Sequence, residues 1–241
     1  TGTLAAMMER RYEAYKTHVV KPFFREHIVR LDRQIVLVDA MQAMNAGPHA
    51  LADLERAMSG ILECFRQGRT SMLSGYFGHR IDRILIAATK ADQLHHEGHD
   101  RLQSVVRRLA DHAIERANFT GAYVDVLALA AVRSTREGTA KQGKDTLPVI
   151  IGVPIEGEQI DGTRFDGKSE TAIFPGDLPE RPDSLFERLD SNGEASRQNG
   201  MPELRFIRFR PPQLETDVQG LKLSLPHIRL DRALEFLLGD Q

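Results

Sequence analysis

Three short segments of this sequence place residues that could recognise a ligand directly behind apolar runs. The first is Gln34-Ile35-Val36-Leu37-Val38, followed by Asp39. A carboxylate at the end of a buried strand can hold Mg²⁺, often through a water, or it can cap the helix that follows. Both readings stay open on this segment alone. The second is Ile84-Leu85-Ile86-Ala87-Ala88, which runs into Thr89-Lys90-Ala91-Asp92. An Asp in that place can accept two hydrogen bonds from the guanine N1–H and exocyclic amine. Adenine has no such donor pair, and a buried acceptor left unpaired penalises it. The Lys90 stem would pack along base and ribose, and Thr89 would tie the loop to a phosphate-binding loop. The third is Ala128-Leu129-Ala130-Ala131-Val132-Arg133, at the end of another apolar run. Small side chains there let a backbone N–H approach the guanine O6.

Two further groups are weaker. Gly162-Thr163-Arg164-Phe165-Asp166-Gly167-Lys168-Ser169 fits the phosphate-loop pattern G-x-x-x-x-G-K-[ST]. That pattern works between a strand and a helix. Here the preceding residues are polar and irregular, and Pro175-Gly176 comes too soon for a helix. Asp166 would repel phosphate, so the segment reads as a turn-rich decoy. His95, His96 and His99 form a cluster in which His95 and His99 are spaced i, i+4. On a helix such a pair can bind a metal, but no third ligand is evident in the sequence. Polar contacts or a helix start explain these histidines more simply.

The elements that must position these residues follow from hydrophobic pattern. Residues 4–30 read as helix, with Pro22 as a kink or boundary. The runs at 34–38, 84–88 and 123–130 read as strands buried on both faces. Between them, Leu51, Leu54, Met58, Ile61, Leu62 and Phe65, and then Leu102, Val105, Val106, Leu109 and Ile114, mark amphipathic helices. Asn45-Ala46-Gly47-Pro48 reads as a turn and a helix start, and Gly68 as a helix stop. Strand, helix, strand, helix, strand predicts right-handed crossovers and a parallel sheet. After about Gly138 the chain becomes rich in Gly, Pro and Asp. Short apolar pieces remain at 149–153, 172–174 and 204–209, the last alternating as a one-sided strand would. Residues 188–202 read as a mobile loop, and a helix near 227–238 closes the chain before Gly239.

Composition bounds the function. The 241 residues are 41% hydrophobic and 27% charged, with a formal net charge of -2, so no basic surface favours nucleic acid. No apolar run reaches the length of a membrane span, and no signal peptide is read at the N-terminus. The single cysteine, Cys64, excludes a disulfide framework, suits a reducing, cytoplasmic setting, and reads as a buried thiol.

The segment from Thr89 to Asp92 resembles the (N/T)-K-x-D motif of GTPases. Longer stretches resemble one family in particular: Arg30 to Asp39, Met44-Asn45-Ala46-Gly47, Arg83 to Asp92, His95-His96, Phe174-Pro175-Gly176-Asp177-Leu178-Pro179 and Pro226-His227-Ile228-Arg229-Leu230-Asp231. They are similar to the YcjX-like family of bacterial cytosolic P-loop NTPases. The resemblance implies an α/β, three-layer P-loop NTPase-like domain with a mostly parallel sheet and a β-containing accessory region. It implies a phosphate-binding loop before Thr1, so the domain is expected to be incomplete at its N-terminus and the chain alone inactive. Expected boundaries are 1–140 for the nucleotide domain and 141–241 for the accessory region. By position, Asp39 would be the Mg²⁺-side carboxylate, and Thr89, Lys90 and Asp92 the base contacts. Ala131 and Val132 would approach the base through backbone groups. The implied activity is binding and slow hydrolysis of a purine nucleotide, GTP/GDP or ATP/ADP, with Mg²⁺, in a stress-linked protein. One departure stands out: Asp39-Ala40-Met41-Gln42 lacks the Gly of Asp-x-x-Gly, whose N–H meets the γ-phosphate in switching GTPases. That favours an alternative, a non-catalytic module that keeps the fold and binds a protein partner. A metal-dependent hydrolase at His95, His96 and His99 is a third possibility.

Overall fold

The computed structural model describes residues 3–27, 31–64, 81–119, 121–143, 145–186, 204–213, 216–217, 220–221 and 225–239. The expected mobile loop at 188–202, the helix stop at Gly68 and the side chain of Cys64 lie outside what is described.

The chain starts with α1 (Leu4–Tyr15), a π-helical stretch (Lys16–Val20) and α2 (Lys21–Glu26). Thr3 caps α1 through its side chain, and Pro22 follows the π-helical stretch, through which the helical backbone runs unbroken into α2. No residue of these helices is buried, and Leu4, Met8, Tyr12, Tyr15 and Val19 form an exposed stripe.

The centre is a parallel sheet of β1 (Arg33–Val38), β2 (Arg83–Ala88) and β3 (Tyr123–Ala128), in that order. Val38, Ala88 and Ala128 stand in register, so all three carboxyl ends reach one edge. On one face lie α3 (Ala40–Ala46), α4 (Pro48–Cys64), α5 (His99–Leu109) and α6 (Asp111–Phe119). Their Met41, Leu51, Met58, Leu102, Val105, Val106 and Ile114 pack with Val36, Val38, Ile84, Ile86 and Val126. On the other face, α7 (Leu230–Leu238) sets Ala233, Phe236 and Leu237 against Leu85, Ala87, Leu127 and Leu129. This is the expected three-layer, P-loop NTPase-like α/β arrangement.

Three expectations are corrected. β1 is buried on one face only: Ile35 is 40% and Leu37 63% exposed. Their register partners Leu85 and Ala87 lie under α7, which does not extend over β1. Asn45 and Ala46, expected in a turn, end a full helix, α3, which starts at once because Asp39 caps it, while the expected helix start at Pro48 opens α4. The third strand ends at Ala128, two residues early, since Ala130 instead bridges Ile228.

The later half supplies antiparallel pieces. β4 (Arg136–Gln142), β5 (Asp145–Gly152) and β8 (Thr171–Ile173) form one sheet, with β5 in the middle. β6 (Gln159–Ile160) pairs with β7 (Thr163–Arg164), and β9 (Thr216–Asp217) with β10 (Gly220–Leu221). Residues 204–209 do not form the predicted strand. They make one bridge, Pro154 to Phe209, with Phe206, Ile207 and Phe209 buried. Among the described residues, no helix is long and apolar enough to cross a membrane.

Candidate functional site

Ligands of open α/β sheets sit beyond the carboxyl ends of the strands. At that edge lies a cavity of about 460 Å³, of the size that holds small molecules. Its lining includes Thr89, Lys90 and Asp92 from the loop after β2, and Ala131 and Val132 from the loop after β3. The tertiary structure thus brings together the five residues expected around a base. Asp39 does not line it.

The Thr89–Asp92 loop is pinned at each end. Thr89 donates its N–H to the Val38 carbonyl at 2.9 Å and its hydroxyl to the same oxygen at 3.2 Å. Thr89 therefore ties the loop to β1. Lys90 adopts the left-handed conformation, φ 63° and ψ 32°, which costs a non-glycine residue about 1–2 kcal/mol. That turn brings its ammonium within 2.5 Å of Asp39 Oδ2. Ala91 N–H then bonds Leu129 O at 3.1 Å, joining the loops after β2 and β3.

Asp92 is 6% exposed. Its Oδ2 accepts the Ser134 N–H at 2.8 Å, and its backbone carbonyl accepts the Thr135 hydroxyl. Burial pushes the Asp92 carboxyl above the usual carboxylate range, against the pull of the Ser134 N–H, its own N–H, and the charges of Arg133 and His99. Each carboxylate oxygen has two lone pairs, so the Ser134 bond leaves capacity for two further donors. Ala130 N–H is taken by Ile228 O at 3.1 Å and Arg133 N–H by Pro226 O at 2.7 Å. Between those anchors Ala131 and Val132 are exposed at the cavity.

Sequence reasoning did not find the other half of the lining. Ile155, Arg208 and Phe209 come from the accessory region, and Ser134 from the start of β4's approach. Arg208 is steered by Glu158, its Nε donating to Oε1 at 2.7 Å. The alternation of apolar residues and arginines at 204–209 was the available signal.

The phosphate-loop look-alike is a turn. Gly162 follows β6, Thr163–Arg164 is β7, and no helix follows. Asp166 accepts the N–H groups of Lys168 at 2.8 Å and Ser169 at 2.9 Å, and the Ser169 hydroxyl. These bonds hold its carboxyl down to about 2. A side-chain anion already occupies the donors that a phosphate would need.

The histidines separate. His99 is buried at the start of α5 with Nε2 2.9 Å from Ala91 O, and burial lowers its pKa. It supports the Ala91–Asp92 turn, so the i, i+4 pairing of His95 and His99 is not a metal pair. His95 and His96 instead meet Glu137 of β4.

The family model described as "YcjX-like family, DUF463" matches residues 1–241. A protein named "Ras-like GTPase YcjX" from Escherichia coli (strain K12) is 34% identical over 240 residues, covering 99% of this chain and 46% of that protein. One of the same name from Shewanella oneidensis is also 34% identical, over 98% of this chain and 44% of its own length. The chain thus spans about half the length of these relatives.

Proposed function

The chain belongs to the YcjX-like family, and from that premise we propose that its cavity binds the base of a purine nucleotide, GTP or GDP in preference to ATP or ADP. In this reading Asp92 accepts the guanine N1–H and exocyclic amine. Lys90 packs its stem along the base, and Ala131 and Val132 offer backbone N–H groups to O6. Thr89 holds the loop to β1. Slow nucleotide hydrolysis belongs to the full-length protein, by positioning and charge stabilisation at the γ-phosphate. The observation that carries the reading is the meeting of both loops on one cavity, with a buried, backbone-anchored carboxylate in its wall. The relatives' printed name, "Ras-like GTPase", supports it at family level.

Mg²⁺ at Asp39 does not fit this arrangement. Oδ1 of Asp39 accepts the Gln42 N–H at 3.1 Å as the cap of α3, and Oδ2 lies against the Lys90 ammonium. The Lys90 ammonium already neutralises this carboxylate. Instead, Asp39 acts as the residue that orients Lys90.

The deciding experiment measures affinity of the full-length protein for GDP, xanthosine diphosphate and ADP, comparing wild type with Asp92→Asn. The expected result is GDP weakened about 10- to 100-fold, the loss of a hydrogen-bonded charge, with the xanthine analogue strengthened. Equal affinities in both proteins for all three ligands would defeat the base-reading role.

A second reading draws on Gln42. The N–H three residues after Asp39 is spent on capping α3, where a switching GTPase directs it at the γ-phosphate. This favours a nucleotide-fold module that acts by binding a protein partner. Nucleotide bound without measurable turnover by the full-length protein is its signature.

A further inference from the structure

We propose that His95, His96 and Glu137 form a binding site for a divalent first-row transition ion, with Zn²⁺ as the representative. The three residues offer donor atoms that all lie within 4.8 Å of one another. His96 Nδ1 is 2.7 Å and His95 Nε2 3.8 Å from the same oxygen, Glu137 Oε2. In a tetrahedral site with bonds of about 2.0–2.2 Å, donors stand roughly 3.3–3.5 Å apart. The two observed separations straddle that value, so small side-chain rotations admit the ion.

His95 is poorly satisfied without one. Its side chain is 14% exposed, and Nε2, the nitrogen that faces Glu137, is too far from it for a hydrogen bond, while the buried Nδ1 on the other side of the ring has no hydrogen-bond partner and lies 3.9 Å from Glu97 Oε1. Its ring lies against that of His96, with centroids 4.3 Å apart, so both imidazoles face one carboxylate. Two imidazoles and a carboxylate suit zinc and its neighbours far better than Mg²⁺ or Ca²⁺, which take oxygen ligands. The other oxygen of Glu137 is already oriented: Oε1 lies 3.4 Å from Arg133 Nη2. Such an outer partner fixes a metal-binding carboxylate. Three protein ligands leave a fourth position open to water or an incoming group.

Placement gives the ion a consequence. It would join the loop that follows Asp92 to the start of β4, and the chain between carries Ser134 and Thr135, which hold Asp92. The ion would therefore brace the wall of the cavity from outside. The site itself stands whether or not that cavity binds guanine.

The test is a titration of metal-free full-length protein with Zn²⁺ by calorimetry and with Co²⁺ by visible absorption. One equivalent per chain and the ligand-field bands of a four-coordinate ion are expected. His96→Ala and Glu137→Gln should each weaken binding at least about tenfold, while His112→Ala, at an exposed position of α6, should leave it unchanged. Wild-type protein provides a readout that needs no variant. Saturating Zn²⁺ should protect His96 from diethylpyrocarbonate, mapped by peptide mass spectrometry, and should raise the melting temperature. Zinc bound equally by wild type and the His96→Ala/Glu137→Gln double variant would be an adventitious ion only. That result, or full modification of His96 under saturating zinc, overturns the site.

Discussion

In the proposed reading recognition turns on Asp92, and the burial of that carboxyl predicts a pH-sensitive affinity. The folded chain holds a proton on this carboxyl at pH values where the unfolded chain has released it. Its contribution to stability is therefore full below the unfolded value and declines as pH rises through the raised folded one. Ligand binding runs the opposite way, because only the ionised carboxylate accepts both guanine donors. GDP affinity is expected to fall on acidification at a pH above the ordinary carboxylate range. In Asp92→Asn the remaining affinity should lack that step. Isothermal titration from pH 4.5 to 8 checks this, and the same acid limb in both proteins would exclude Asp92 as its origin.

At the scale of elements, the cavity depends on how closely β5 approaches the segment before β4. Gly152 closes β5, and a Cβ there would come within 2.8 Å of Phe209 Cδ1 and 3.2 Å of the Ser134 carbonyl. Phe209 is buried and Ser134 is held by Asp92, so neither can yield freely. Gly152→Ala is expected to destabilise the fold by about 1–3 kcal/mol, the usual cost of overpacking. It should also weaken GDP, since displacing Ser134 moves the donor that fixes Asp92. Thermal melts and nucleotide titration of the variant test both effects. A variant that melts lower yet binds GDP normally would show Ser134 to be a scaffold residue only. The same logic accounts for α7, whose last carbonyls are gripped from the sheet: Arg33 donates to Leu237 O at 2.6 Å and Arg83 to Phe236 O at 2.5 Å.

For the whole molecule, the question is whether the accessory region folds apart from the nucleotide domain. The boundary expected after residue 140 falls inside β4. Leu178, Leu185, Phe186 and Phe206, all beyond it, are buried in the same core as α4, α5 and the sheet. Asn45 of α3 also donates its side-chain amide to Phe206 O at 2.5 Å. One cooperative unfolding transition is therefore expected in urea, with circular dichroism and tyrosine fluorescence tracing coincident curves. Two separated transitions would restore the boundary near 140. The apolar face of β1 at Ile35 and Leu37 is exposed, because α7 meets β1 through Arg33 and packs its apolar side chains on β2 and β3 instead.

The parallel sheet, its helical layers and the loops that flank the cavity were legible in the sequence. Continuous apolar runs and 3.6-residue periodicity are local, and burial on both faces of a strand or one face of a helix writes them directly into residue order. Even so, the pattern overstated β1, since an apolar run records what could be buried and not which neighbour arrives. What only the tertiary structure decided are partnerships between distant residues. Lys90 meets Asp39 across 51 positions, Ser134 meets Asp92 across 42, and Glu137 meets His96 across 41. No periodicity encodes these meetings. The return of β4 past the carboxyl ends of β2 and β3 brings Ser134 and Glu137 to the loop after β2, while the register of β1 with β2 brings Asp39 to Lys90.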